Sequence, residues 1–257
     1  MILRRLSQSL KTQNWTAIWI EFVLLVSGVF LGIQVSNWNA ERVEGIRAQA
    51  YLARIKGNLN SDIVNIERRK VYWTQVINYG NEAIHYLETS ELVDDSAWKT
   101  VLAFYQASQL WPWASIDTTY QELRNGGELG LIKDESLRIG LASYYVEGSG
   151  DDVAYILAYQ PEYRKIVRSL TPAVVSNHIW SKCFTLPNAS EQYLLDCESP
   201  MSEAEAQAVL DNYRKDPKLL SELRFWVTNQ DVALKVVENT RKLGSTMMQK
   251  IEVKPAL

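Results

Sequence analysis

Apolar residues follow two different patterns along this chain. From Ala17 to Ser36 they run almost unbroken, with Glu21 as the only charge. From Ala40 onward they recur at helical spacing. Leu52, Leu59, Ile66, Trp73 and Leu87 fall on a seven-residue repeat, with Ile63, Ile77 and Ile84 between them. That spacing predicts one long helix over 40–87 with a core-facing stripe. Gly57 and Gly80 are its candidate kink points, and the charged run Glu67 to Lys70 is its solvated face. Near the C-terminus, Leu220, Leu223, Val227, Leu234, Val237, Leu243 and Met247 share a face of a second long helix, opened by Pro217.

Shorter helices are expected between these two. Asp94, Asp95 or Ser96 caps one that runs to about Leu110. Pro112 disfavours a helical Trp111 and ends it. Asp117 starts a short helix through Arg124, which the Asn125-Gly126-Gly127 run stops. Another helix is expected from Asp134 to Val146, and one from Asp151 that Pro161 and Pro172 interrupt or bound. Ser202 and Glu205 form a capping box for a helix through Lys215. No strand pattern or internal repeat stands out. The expected fold class is all-α: a single N-terminal transmembrane helix, then an extracytoplasmic helical bundle whose long first and last helices pack antiparallel.

A span needs about 20 residues to cross a hydrocarbon core of roughly 30 Å. The run from Phe22 to Ser36 is too short alone; starting at Ala17 it is long enough, and Glu21 then lies about one turn inside the surface. The basic start, with Arg4, Arg5 and Lys11, also suits a signal peptide. The apolar part is too long for one, however, and neither an Ala-x-Ala site nor a lipoprotein cysteine follows it. An uncleaved signal anchor is expected, with a cytoplasmic tail over 1–16, a span over 17–36 and an extracytoplasmic domain over 37–257. Trp15, Trp19 and Trp38 sit near the ends of the span, where interfacial aromatics belong. The expected location is a plasma membrane.

The stretch EFVLLVSGVFLGIQVSNWNAER, running into LARIKGNLNSDI, resembles the start of a widespread family of uncharacterised bacterial single-pass membrane proteins. Their span carries an embedded Glu and ends in an Asn-Trp-Asn flank. The later stretch TTYQELRNGGELGLIKDESLRIGLASYY resembles that family's middle region, so the likeness covers most of the chain. Ile20 stands where the family usually has Gly, and Ser36 where it favours Asn. The resemblance implies placement in a bacterial inner membrane and carries no assigned activity.

Gly28, Gly32 and Ser36 put small residues at every fourth position of the span, a pattern that lets two helix backbones approach. Glu21, seven residues before Gly28, falls within about 20° of the same face. Two readings of Glu21 stand side by side. It snorkels to the cytoplasmic surface beside Lys11 or an Arg of the tail, or it hydrogen-bonds a neighbour in a helix–helix contact.

Composition narrows the chemistry. A net charge of −3 at pH 7 argues against nucleic-acid binding, which needs clustered Lys and Arg. Glycine and proline number 12 and 7, which suits long helices better than many turns. Cys183 and Cys197 are the only cysteines. In an oxidising compartment they are expected to form a disulfide; two buried free thiols are the alternative. His85 and His178 lack metal-ligand spacing, so neither a metal site nor a cofactor is expected. Carboxylate pairs such as Glu122 with Glu128, or Asp151 with Asp152, have the residue types for glycoside chemistry, but 30 acidic residues produce such pairs by chance. Asn14 and Asn188 begin glycosylation-like triplets read as accidental.

No phosphate loop, Gly-x-Ser-x-Gly or dinucleotide motif occurs, and an enzyme is not expected. The leading reading is a membrane-anchored interaction or scaffold module that forms a homo-oligomer or docks a membrane-protein partner. The alternative is a ligand-sensing domain working through a membrane partner. An envelope enzyme is the third.

Overall fold

The computed structural model describes residues 15–147, 161–188 and 191–253. Helices dominate the order of elements: α1 (Trp15–Thr89), α2 (Ala97–Ala107), α3 (Thr118–Asn125), α4 (Glu135–Ala142), α5 (Glu162–Leu170), α6 (Ala173–Lys182), then strands β1 (Phe184–Asn188) and β2 (Glu191–Leu194), then α7 (Glu203–Tyr213) and α8 (Leu219–Val253). A π-helical turn, Ser143–Glu147, continues α4. The first long helix does not begin near Ala40, as its heptad stripe alone suggests: α1 is one helix from Trp15. The chain divides into two compact units at Ala50–Tyr51.

In the first unit, every described side chain from Trp19 to Glu44 is exposed. This includes Phe22, Leu24, Leu25, Phe30 and Leu31, each more than half exposed. An 18-residue window of this helix has a mean hydropathy of 1.8 and no buried residue, and by length and composition it can cross a membrane.

The second unit carries two apolar cores along α1. Leu52, Ile55 and Leu59 pack with Leu123, Ile132, Leu141 and Met247. Ile66, Trp73, Val76 and Ala83 pack with Phe104, Ile179, Leu210, Trp226 and Val227. The heptad positions Leu52, Leu59, Ile66 and Trp73 are buried. Positions of contact between α1 and α8 run in opposite directions. Lys56 pairs with Glu252 at 2.7 Å, Glu67 with Arg241 at 3.1 Å, Lys70 with Glu238 at 2.8 Å, and Glu88 with Arg224 at 2.6 Å. The two helices are therefore antiparallel. Arg241, then Lys70, holds the Glu238 carboxyl down at about 2.

Most helix ends follow from their residues. Ser96 accepts the Lys99 N–H, Asp134 accepts the Leu137 N–H, and Ser202 with Glu205 makes both bonds of a capping box. After α3 the Gly127 N–H reaches the Arg124 carbonyl and the Glu128 N–H reaches the Leu123 carbonyl. That Schellman pattern requires a left-handed residue, and Gly127 supplies it at φ +70. Three expectations shift. Asp117 stands before α3, but its side chain makes no capping bond. The last helix starts at Leu219, not at Pro217. The helix does not break at Gly57 or Gly80, both inside α1. The expected helix start at Asp151 lies outside the described residues.

A larger correction concerns residues 184–194, which carry no strand pattern by sequence. They form an antiparallel hairpin, pairing Phe184 with Leu194 and Thr185 with Tyr193. The strands are too short to signal themselves, and Pro187 sits inside one. Tertiary anchors hold the hairpin instead: a Cys183–Cys197 disulfide with a Cα separation of 5.2 Å, the Gln106 amide on the Cys183 carbonyl at 2.8 Å, and the Trp98 indole N–H on the Cys197 carbonyl at 2.9 Å.

Candidate functional site

Three places carry the chemistry singled out by sequence or by burial. The first is the small-residue face of α1. Glu21, Gly28, Gly32 and Ser36 all lie on this helix and are exposed. A β-carbon at Gly28 or Gly32 would meet no atom within 4 Å. Lys11 and the tail arginines lie outside the described residues.

The second is the base of the hairpin. Cys183 is fully buried and disulfide-bonded to Cys197. His178 lies beside the pair, its ring nitrogen within 4.8 Å of both sulfurs. The sulfurs are joined to each other, so no thiolate is available to ligate a metal. The His178 Nε2 is instead at 2.9 Å from the Glu198 carbonyl, and its ring meets Trp98 edge-on with 5.7 Å between centroids. His85 pairs with the Glu91 carboxylate at 2.9 Å. Of the candidate carboxylates, Glu122 is held by Arg54, which lowers its pKa. Asp151 and Asp152 lie outside the described residues, and Asn188 lies on β1.

The third place has no motif. Asp62 projects from α1 between the two cores and is fully buried. It accepts the Ile116 backbone N–H at 3.0 Å, which fixes the loop before α3. It also accepts the Tyr144 hydroxyl at 3.0 Å, which fixes the π-helical turn. Burial pushes its carboxyl up to about 6, against the opposing pull of these two bonds; Asp117 adds to the rise and Arg69 opposes it. Burial first, then the charge of Asp62, raises the Tyr144 hydroxyl far above its ordinary value. The Tyr145 hydroxyl is buried with no hydrogen-bond partner among the described residues, and its ring stacks on Tyr120 with 4.9 Å between centroids. A carboxyl poised near pH 6 can take up or release a proton in the physiological range. With no exposed surface, it has no direct reach to a substrate. Its position was readable from the repeat: Leu59, Asp62 and Ile66 share a helix face, so Asp62 interrupts the apolar stripe.

The chain matches no family model, and neither the curated proteins nor the solved structures contain a match.

Proposed function

We propose that this protein is a single-span membrane protein whose helical bundle lies outside the cytoplasm and serves as an interaction or scaffold module. The observation that carries the reading is the unburied apolar surface of α1. From Trp19 onward it exposes a continuous set of large apolar side chains to nothing in the chain. A water-soluble monomer rarely exposes a contiguous apolar patch above a few hundred Å². A membrane removes that surface from water, and an N-terminal basic tail sets the orientation with residues 1–16 inside. The resemblance of residues 21–42 to single-span bacterial proteins points the same way. The interaction role is supported by the open small-residue face of Gly28 and Gly32.

The test has two arms. A reporter active only outside the cytoplasm should be active when fused after Leu257 and silent when fused at Met1; the reverse pattern overturns the placement. Two differently tagged copies, co-expressed and mildly solubilised, should co-purify with each other or with a shared membrane protein. Recovery of each copy alone rejects the scaffold reading and leaves the topology result standing.

A further inference from the structure

Two guanidinium groups, Arg164 and Arg168, stand one turn apart on α5 and converge on one point. Arg164 Nη1 donates to the Ser108 carbonyl oxygen. Arg168 Nε donates to Ser108 Oγ at 3.1 Å, and its Nη2 donates to Gln109 Oε1 at 2.9 Å. Arg168 also lies against two rings, 5.0 Å from the centroid of buried Tyr105 and 5.3 Å from that of Trp180. Trp180 is 40% exposed, so this wall opens to solvent. Both arginines are half-buried.

Among the described residues nothing balances the charge of this pair. Every partner bonded to it is neutral, and no carboxylate among the described residues pairs with either group. Burial pushes Arg164 down to about 10, and the neighbouring positive charge of Arg168 is the next largest cause; burial lowers Arg168 as well. The simplest structural role is a clamp on the C-terminus of α2, since Ser108 is the residue that ends it. A helix C-terminus offers roughly half an elementary negative charge. Two full positive charges exceed that several-fold. The hydrogen bonds point the same way: Arg164 spends one donor and Arg168 two, so most N–H groups of the two forks have no acceptor among the described residues. Desolvated, converging, preoriented guanidiniums with spare donors match a planar or tetrahedral oxyanion.

We propose that Arg164 and Arg168 form a binding site for a small oxyanion, a carboxylate or phosphate group of a solute. Ser108 and Gln109 hold the two forks in place, and Trp180 walls the open side. The site stands on α2, α5 and α6 alone and does not depend on the membrane reading.

The experiment is thermal unfolding of the purified full chain in mild detergent, titrated with sodium phosphate and, separately, sodium acetate. Sodium chloride at equal ionic strength is the reference. At least one oxyanion should raise the unfolding temperature along a saturating curve. A response to phosphate alone identifies a phosphate group, to acetate alone a carboxylate, and to both the shared oxyanion chemistry. Arg168→Gln, and Arg164→Lys, which keeps the charge but loses the fork, should each weaken the apparent affinity about tenfold or more. Arg224→Gln, which removes an exposed pair with Glu88 and bonds none of Ser108, Gln109 or Trp180, should respond as the wild type does. Absence of a saturable response to both anions overturns the proposal. So does an equal response in the wild type and Arg168→Gln. Should Arg168→Gln fail to fold, Arg164→Lys decides alone: undiminished affinity in that variant rejects the site.

Discussion

Val227 on α8 packs directly onto Gly80 of α1. A β-carbon built at position 80 would lie 2.4 Å from Val227 Cγ2 and 3.8 Å from a methyl of Leu223. The helices meet here through a missing side chain. Gly57, on the same helix, has no atom within 4 Å of where its β-carbon would be.

The two glycines should therefore respond oppositely to the same substitution. Gly80→Ala forces the stiff, branched Val227 to move, and overpacking of this kind costs about 1–3 kcal/mol, more than alanine's better helix propensity returns. Gly57→Ala meets open space and should stabilise by about 0.5–1 kcal/mol. Thermal melts of the full chain, followed by circular dichroism, compare the two. A Gly80→Ala chain as stable as the Gly57→Ala chain would show that the close approach is not maintained.

Asp62 predicts a pH dependence of definite sign. Its folded value, about 6, is above the ordinary 3.8, so the folded state binds more protons between those values. Stability from this group is full below the unfolded value and is lost as pH rises through the folded one. The loss amounts to about 3 kcal/mol at most. Asp62→Asn keeps an acceptor for the Ile116 N–H and carries no charge. The variant should gain stability relative to wild type as pH rises from 4 to 7, read from unfolding midpoints across that range. A constant difference would mean that Asp62 does not titrate there.

The disulfide closes a loop with a sequence separation of 14. In the chain-entropy account a loop of that size contributes roughly 3 kcal/mol. Cys183→Ser should lower the melting temperature while the helical signal of α1 and α8 stays, because the closed segment holds only the hairpin. Thiol alkylation of wild-type protein from its native compartment should find no free cysteine. Two modified thiols there would rule the bridge out in the cell.

Gly28→Leu together with Gly32→Leu fills the open face of the N-terminal helix. Self-association of the segment in a membrane two-hybrid assay should be abolished, while Val29→Leu on another face should leave it intact. Undiminished association of the double variant would show that this face does not mediate contact.

Periodicity carried much of this architecture. The buried positions Leu52, Leu59, Ile66 and Trp73 were readable from a seven-residue repeat, the helix starts at Asp134 and Ser202 from residue type, and the cap at Ser96 only as one of three candidates with Asp94 and Asp95. These signals are local: each depends on neighbours within a turn or two. The hairpin was not readable, because what fixes it is distant in sequence. Gln106, Trp98 and the Cys183–Cys197 bond hold strands that have little propensity of their own. Arg164 and Arg168 were equally silent. On the chain they look like ordinary exposed charges beside Ile166 and Val167, and only the arrival of Ser108 and Trp180 from other helices makes them half-buried. Asp62 lies between these cases, since its place on an apolar stripe was visible but its partners Ile116 and Tyr144 were not.

The contact at Gly80 also limits how the two long helices can move. One turn away along α1 stand Val76 and Ile84. An axial slip of α8 by one turn, about 5.4 Å, would drive Val227 onto a branched side chain instead of a hydrogen atom. The same slip would pull Glu238 from Lys70 and Glu252 from Lys56. The seam thus resists a piston-like slip of α8. A full-turn displacement of α8 along α1 is opposed at the Gly80–Val227 point, where the Val227 side chain occupies the space that a β-carbon on α1 would need.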